Sequence, residues 1–197
     1  MGAASPIPAS GAFLLREKKP DLRISLLQKR KGNPFTEGSR ELFDLAGQGR
    51  IDVFFLGGAQ IDGRGSINLV RAEGRRFPGS FGSAYMYQAV PNVILFREEH
   101  SRRVLVPEVE FVSAAGRPAA LLTGKALFGW KDGFVLQSFH PGESVDSIRA
   151  LTGFDFRVDS SVHQTPPPSD NELAALRGPV AERIRADYPD FARRVWG

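Results

Sequence analysis

Two glycine-rich segments and one histidine are the residues best placed to do chemistry. Gly57-Gly58-Ala59-Gln60 directly follows Ile51-Asp52-Val53-Phe54-Phe55-Leu56, a nearly continuous apolar run. Glycine after a buried strand lets a ligand approach the backbone and exposes amide hydrogens to it. Gly79-Ser80-Phe81-Gly82-Ser83 stands before a predicted helix, whose first amides are unpaired and whose dipole end is positive. Such amides can hold a phosphate, or the oxyanion that forms when a thioester carbonyl is attacked. Glycine pairs also serve as plain turns, so spacing alone leaves both readings open. A side chain at Gly82 is expected to disturb a ligand more than the fold.

The chain has three histidines, none with metal-ligand spacing, so no metal site is expected. His140, in Phe139-His140-Pro141-Gly142, ends a predicted strand at a turn. An active-site residue would stand there, although the ring could equally bond to backbone. His100 follows Glu98-Glu99, which allows a carboxylate–imidazole pair or an exposed charged loop. His163 falls in a polar linker and is expected to be inert. No nucleophile elbow supports a serine–histidine–aspartate arrangement. No complete Gly-x-Gly-x-x-Gly follows the first strand, which weakens a dinucleotide-binding reading.

The elements that must position these residues alternate in type. Leu22 to Leu27 reads as a strand after a turn at Pro20-Asp21, and Lys29 to Thr36 as loop. Ser39 caps a helix through Ala46 that Gly47 and Gly49 end. Ile51 to Leu56 is a strand covered on both faces. Ser83 caps a helix over Ala84 to Val90, broken by Pro91-Asn92, and Val93 to Phe96 is the next buried strand. Val104 to Val106 and Val109 to Val112 read as strands. Ala120 to Phe128 and Phe134 to Phe139 pair through the Lys131-Asp132-Gly133 turn. Ser144 to Leu151 is a helix closed by Gly153. Thr165-Pro166-Pro167-Pro168 is a stiff linker, and Ser169-Asp170 open a terminal helix that Tyr188-Pro189 interrupts before Phe191 to Trp196. The pattern is that of an α/β domain, an open and mostly parallel sheet with helices on both faces. Residues 1–165 form that domain, and residues 166–197 form a linker and helical arm able to reach a neighbouring subunit. In such a sheet, ligands bind outside the carboxyl ends of the strands.

Composition narrows the function classes. Of 197 residues, 42% are hydrophobic and 24% charged, as in an ordinary soluble globular protein. There is no cysteine, which excludes disulfides, thiolate metal sites and cysteine nucleophiles and fits a reducing cytoplasm. Met1 to Gly11 carries no basic residue, so no signal peptide is expected, and no apolar run approaches the roughly 18 residues of a membrane span. The net charge of +4 gathers at Lys29-Arg30-Lys31, Arg75-Arg76 and Arg102-Arg103, short clusters that read as solvated charge. The aromatic residues are mostly phenylalanines on core-like strands, so no nucleic-acid platform is expected.

Taken together, five segments resemble the β subunit of family I coenzyme A transferases, above all the glutaconate branch. They are Gly57-Gly58-Ala59-Gln60-Ile61-Asp62, Gly65-Ser66-Ile67-Asn68, Pro78-Gly79-Ser80-Phe81-Gly82-Ser83-Ala84, the Ile94 to His100 strand and turn, and Thr152-Gly153-Phe154-Asp155. The second departs from the family's usual Gly-Asn-x-Asn. The resemblance runs from about Ser5 to Arg177, nearly the whole chain. It implies an α-type partner chain and a substrate that is the CoA thioester of an organic acid. CoA then enters as part of the substrate, with no permanently bound cofactor, and the isolated chain could form a homo-oligomer. It also implies a nucleophilic glutamate after the first strand, one that attacks the thioester and carries CoA covalently. Here Leu27 occupies that position, its neighbours Gln28, Lys29 and Arg30 supply no glutamate, and Glu37 belongs to the segment entering the next helix. His140-Pro141-Gly142 is similar instead to the branch that opens steroid-derived rings by hydrolysis, where the partner subunit supplies a glutamate. The chain is therefore expected to support CoA transfer or thioester-dependent hydrolysis, or else to be a non-catalytic subunit of the same fold.

Overall fold

The computed structural model describes residues 5–27, 29, 33 and 35–197. Gln28, Arg30, Lys31, Gly32 and Pro34, in and beside the stretch expected to be loop, lie outside the described residues, and with them most of one basic cluster. In chain order the first elements are α1 (Pro6–Lys18), α2 (Ser39–Gly47), β1 (Val53–Leu56), β2 (Gln60–Asp62), β3 (Ile67–Asn68), β4 (Arg71–Ala72), β5 (Arg75–Arg76), α3 (Ser83–Ala89) and β6 (Asn92–Arg97). There follow β7 (Leu105–Val106), β8 (Ala120–Thr123), β9 (Ala126–Trp130), β10 (Phe134–Phe139), α4 (Val145–Leu151), β11 (Arg157–Gln164), α5 (Asp170–Ala175), α6 (Ala181–Asp187) and α7 (Pro189–Trp196).

Residues 37–166 form one compact unit around a six-stranded sheet ordered β1-β6-β8-β9-β10-β11. Pairing is parallel at β1/β6, β6/β8 and β10/β11, and antiparallel only on the two sides of β9. The sheet is thus mostly parallel, as expected, with β9 reversed between β8 and β10. One consequence positions everything else. The carboxyl ends of β1, β6, β8, β10 and β11 share one edge, where Gly57, Glu98, Gly124, His140 and Thr165 follow. Apolar strand residues bury Leu95, Leu121, Phe128 and Leu136 completely. Phe128 meets Phe156 edge-on at 5.2 Å, and Phe134 meets Trp130 at 4.9 Å. A small sheet, β3-β2-β7, buries Ile61 and Ile67, and β4 and β5 form a hairpin.

Residues up to Thr36 group with those from Pro167 onward in a second unit. The units therefore do not follow one cut at 165/166. The reason is a shared apolar core: Ala9 and Phe13 of α1 with Val180, Ile184 and Ala192 of the terminal helices. This also corrects the Leu22 to Leu27 strand. The segment makes no ladder among the described residues, because Ile24 and Leu26 bury their side chains on that helical core. Helix α1 lies where the sequence suggests no element, although Pro6 opens it and Ala9 and Phe13 sit four apart on one face.

Other differences have local causes. Ala120 to Phe128 is two strands, because the Thr123 hydroxyl accepts the amides of Lys125 (3.2 Å) and Ala126 (3.0 Å) and turns the chain. Gly124 donates its amide to the Glu98 carbonyl there, and a Cβ on it would overlap that oxygen. Val109 to Val112 is not a strand: the amides of Val109 and Glu110 go to the side chains of Asp62 (3.4 Å) and Gln60 (3.1 Å). Gly38 and Gly82, not Ser39 and Ser83, occupy the caps of α2 and α3. Ser144 and Ser169 do cap their helices, each in a reciprocal capping box. His163 lies on the exposed part of β11, a strand hidden in the sequence by its polar residues. Leu176–Val180, with Gly178 and Pro179, breaks the terminal helix a second time. Among the described residues no helix is long and apolar enough to cross a membrane.

Truncating Phe128 to alanine should cost about 3–5 kcal/mol. Urea unfolding of the purified chain measures this, and a loss below about 1 kcal/mol would contradict the packing of the aromatic core.

Candidate active site

The shared carboxyl edge carries a chain of polar groups centred on Thr123. His100 is only 4% exposed, with Nδ1 2.8 Å from Thr123 Oγ1 and Nε2 3.0 Å from Thr152 Oγ1. Thr152 donates its own hydroxyl to the Ile148 carbonyl at 2.7 Å, so it accepts from Nε2. In the neutral ring, Nδ1 then accepts from Thr123. Burial, with Lys125 nearby, pushes His100 down to about 4, against a weaker opposing pull from Glu143. His100 is therefore neutral at ordinary pH, and both its nitrogens are engaged. The carboxylate pair expected for it goes elsewhere, since Glu99 accepts from Ser101 (2.7 Å) and pairs with Arg103. The Ser101 bond, aided by Arg103, holds the Glu99 carboxyl below the usual range.

His140 is half-buried on the same network. Nε2 lies 3.2 Å from the Thr123 carbonyl, which can only accept, so Nε2 carries a proton. Nδ1 lies 2.9 Å from Thr165 Oγ1, which is also 2.9 Å from Ser138 Oγ. Beside it Lys125 is paired with Glu143, which also accepts from Ser147 at 2.8 Å. The Lys125 bond, then that of Ser147, keeps the Glu143 carboxyl low. Of these residues the sequence singled out only the histidines. A signal for Thr123 existed: a threonine at the end of an apolar strand, immediately before Gly124.

The glycine segments are more structural than expected. Gly58 is buried, with its backbone packed on the Gln60 carbonyl and on Ile61 and Ile67. Ala59 donates its amide to the Asn68 carbonyl at 2.8 Å. The Gln60 side chain donates to Glu110 (2.9 Å) and accepts from Asn68 (2.8 Å). Asp62, 2% exposed, accepts the amides of Arg64 and Ser66 at 3.0 Å each. Gln60, Asp62 and Asn68 thus brace the loop, and Gly57 stays half-exposed on it. In the other segment Gly79 has φ +105° and open space around it. Gly82 has φ +68°, and a side chain there would overlap the Phe43 ring, so packing accounts for this glycine without a ligand. Ser83 gives both its amide and its hydroxyl to the Ser80 carbonyl. Phe81 is 73% exposed and, with Tyr85, flanks Phe43 at 6.0 and 5.8 Å.

Leu27 stands half-buried at a turn of the other unit and offers only an alkyl group. Glu37 is exposed and paired with Arg40 at 3.5 Å, in the turn that enters α2. Among the described residues no cluster of acids and histidines is suited to a metal ion.

No protein-family model matches the sequence. One of the two kinds of chain in the 3-oxoadipate CoA-transferase of Pseudomonas knackmussii is 29% identical over 162 residues, or 70% of this chain. The chain spans 62% of the length of that curated relative. The solved decarboxylase AibA/AibB superimposes on 100% of this chain and 90% of its own, at a TM-score of 0.81 and 28% identity. The chain belongs to the family I coenzyme A transferases, as a β-type subunit. Glutaconate coenzyme A-transferase from Acidaminococcus fermentans shares the family I fold, at 22% identity and a TM-score of 0.58 over 64% of this chain and 57% of that one. Structures of the AibA/AibB decarboxylase also carry asparagine, alanine, valine or serine in place of one cysteine, and this chain has no cysteine.

Because folded His100 protonates near 4 and an unfolded histidine near 6.5, the unfolded chain binds more protons between those values. This contribution to stability should be complete above about pH 6.5 and decline toward pH 4, by on the order of 2 kcal/mol at pH 5. His140, Lys125 and Glu143 also face this network, and the lowered Glu143 carboxyl adds its own loss only in more acid solution. Urea unfolding at pH 7.5 and pH 5 reads the effect, and His100→Asn should flatten it. An unchanged wild-type midpoint would contradict the burial of this ring.

Proposed function

We propose that this chain is the β half of a two-chain enzyme that acts on the CoA thioester of an organic acid, an α-type chain completing the site. The observation that carries the reading is the full-length likeness to one chain of a two-component decarboxylase, beside a relative that is itself one chain of a CoA-transferase. The half-exposed backbone at Gly57 and the open turn at Gly79-Ser80 line the thioester. Ala59, Gln60, Gly58, Gly82 and Ser83 fix those two loops, and Phe81 covers the site from its exposed position. His140 handles protons at the carboxyl edge, with Nε2 committed to Thr123 and Nδ1 exchanging with the Thr165 hydroxyl.

The nucleophile does not come from this chain. Leu27 has no nucleophilic atom, Glu37 is exposed and paired, and no cysteine is present. A partner carboxylate or an activated water therefore attacks, which fits CoA transfer or thioester-dependent hydrolysis. CoA takes part as substrate, and no resident cofactor or metal is invoked. A second reading, a non-catalytic subunit that shapes the pocket, is favoured by one observation: both nitrogens of His100 are already engaged within the fold.

Co-expression with the α-type chain should give a stable complex burying more than roughly 2,000 Å². Treating that complex with acyl-CoA and then hydroxylamine or borohydride should leave this chain unmodified by mass spectrometry, while turnover proceeds. Modification at Glu37 would sink the assignment of the nucleophile to the partner. Assembly without turnover on any acyl-CoA would favour the non-catalytic reading, and a monomer active alone would end both.

A further inference from the structure

The basic pair Arg75-Arg76, which reads in the sequence as plain solvated charge, has a more specific setting. The β4/β5 hairpin turns through Glu73 (φ +50°) and Gly74 (φ +73°), a two-residue reversal. Its register sets Arg71 directly opposite Arg76, two like charges in facing cross-strand positions. That arrangement is destabilising unless something negative stands between them. Among the described residues, none of Arg71, Arg75 and Arg76 has an ion-pair partner. The nearby acids are occupied: Glu73 faces Arg103 at 3.8 Å, and Glu110 holds the Gln60 amide and the Glu73 backbone amide.

The three arginines line an open cleft of about 480 Å³ together with Val70, Gly74 and Phe111. Phe111 is a large apolar ring left 44% exposed on the wall of this basic cleft. The hairpin is also held rigidly. Asn68 donates to the Arg71 carbonyl at 2.6 Å and accepts from the amides of Val70 (3.1 Å) and Arg71 (3.3 Å). Through Asn68 and Glu110 the cleft is tied to Gln60, and so to the loop after β1.

We propose that this cleft binds a phosphorylated nucleotide, its phosphates on Arg71, Arg75 and Arg76 and its base against Phe111. Guanidinium groups hold phosphate oxygens through paired, charge-assisted bonds, and an aromatic face takes a flat base. CoA carries such a nucleotide, and free nucleotides offer the same chemistry. Assigning the cleft to CoA rests on the function proposed above, whereas nucleotide binding as such does not.

Calorimetric titration of the full chain with CoA, ADP, adenosine and pyrophosphate tests this. CoA and ADP should bind, more weakly as salt is raised, and adenosine should bind far less. R75Q/R76Q should raise the ADP Kd on the order of tenfold per lost arginine contact, and F111S should weaken ADP but spare pyrophosphate. All three positions are exposed, so folding should survive, and a thermal melt confirms it. Parallel losses for ADP and CoA make this the nucleotide end of the CoA site. Loss for ADP with unchanged CoA makes it a separate nucleotide site. No ADP binding to the wild-type chain, or an ADP Kd unchanged in R75Q/R76Q, overturns the proposal. Acyl-CoA turnover by the co-expressed complex is followed separately: its absence counts against the proposed function, while the ADP titration alone decides the cleft.

Discussion

Thr123 stands at the end of β8 with 2% of its surface exposed, and its hydroxyl meets the His100 ring and the amides of Lys125 and Ala126 at once. A buried hydroxyl is tolerated only when its bonds are made. This one makes them by turning the chain back on itself, which creates β9. Because β9 runs against its neighbours, β10 again runs with β8, and His140 arrives on the same edge as Gly57. The Thr123 carbonyl then receives His140. One residue thus sets the topology of the sheet and places the histidine that the proposed chemistry uses.

A parallel constraint governs the loop after β1. Gln60, Asp62 and Asn68 are buried polar residues, and each finds its partners within the small sheet and the 109–110 segment. Most of their hydrogen-bonding capacity is spent on architecture, and little is left for a substrate. Side chains that hold a loop in one conformation still matter for binding, because a pre-ordered backbone loses less entropy when a ligand arrives. The edge and the loop are therefore supports for chemistry rather than its reagents, which agrees with a chain whose nucleophile position is a leucine.

Much of this was legible in the residues themselves. Continuous apolar runs marked β1 and β6 as buried parallel strands, and the capping serines at 144 and 169 placed two helices. The motif order identified the family. The failures share a physical origin: the competing interaction was distant in sequence. Ile24 and Leu26 look like strand residues, but their partners lie near Ile184. Val109 pairs with a carboxylate 47 positions earlier. Gly82 is adjacent in space to Phe43, a contact no local pattern announces. His100 follows two glutamates, yet the groups that bond it are threonines 23 and 52 residues away.

The helical core has a further consequence, for the order in which the chain can fold. Its two halves come from opposite ends of the sequence: Glu17 pairs with Arg183 across 166 positions, and Phe13 shares its cluster with Ile184 and Ala192. On a ribosome the first helix emerges well before its partners exist, while the whole sheet unit is synthesised in between. Closing so long a loop is slow, and a helix with an unburied apolar face is exposed to wrong contacts in the meantime. The sheet, whose pairings are mostly short-range, can form first. The amino-terminal helix must wait, and during that wait it is the part of the nascent chain most in need of a chaperone.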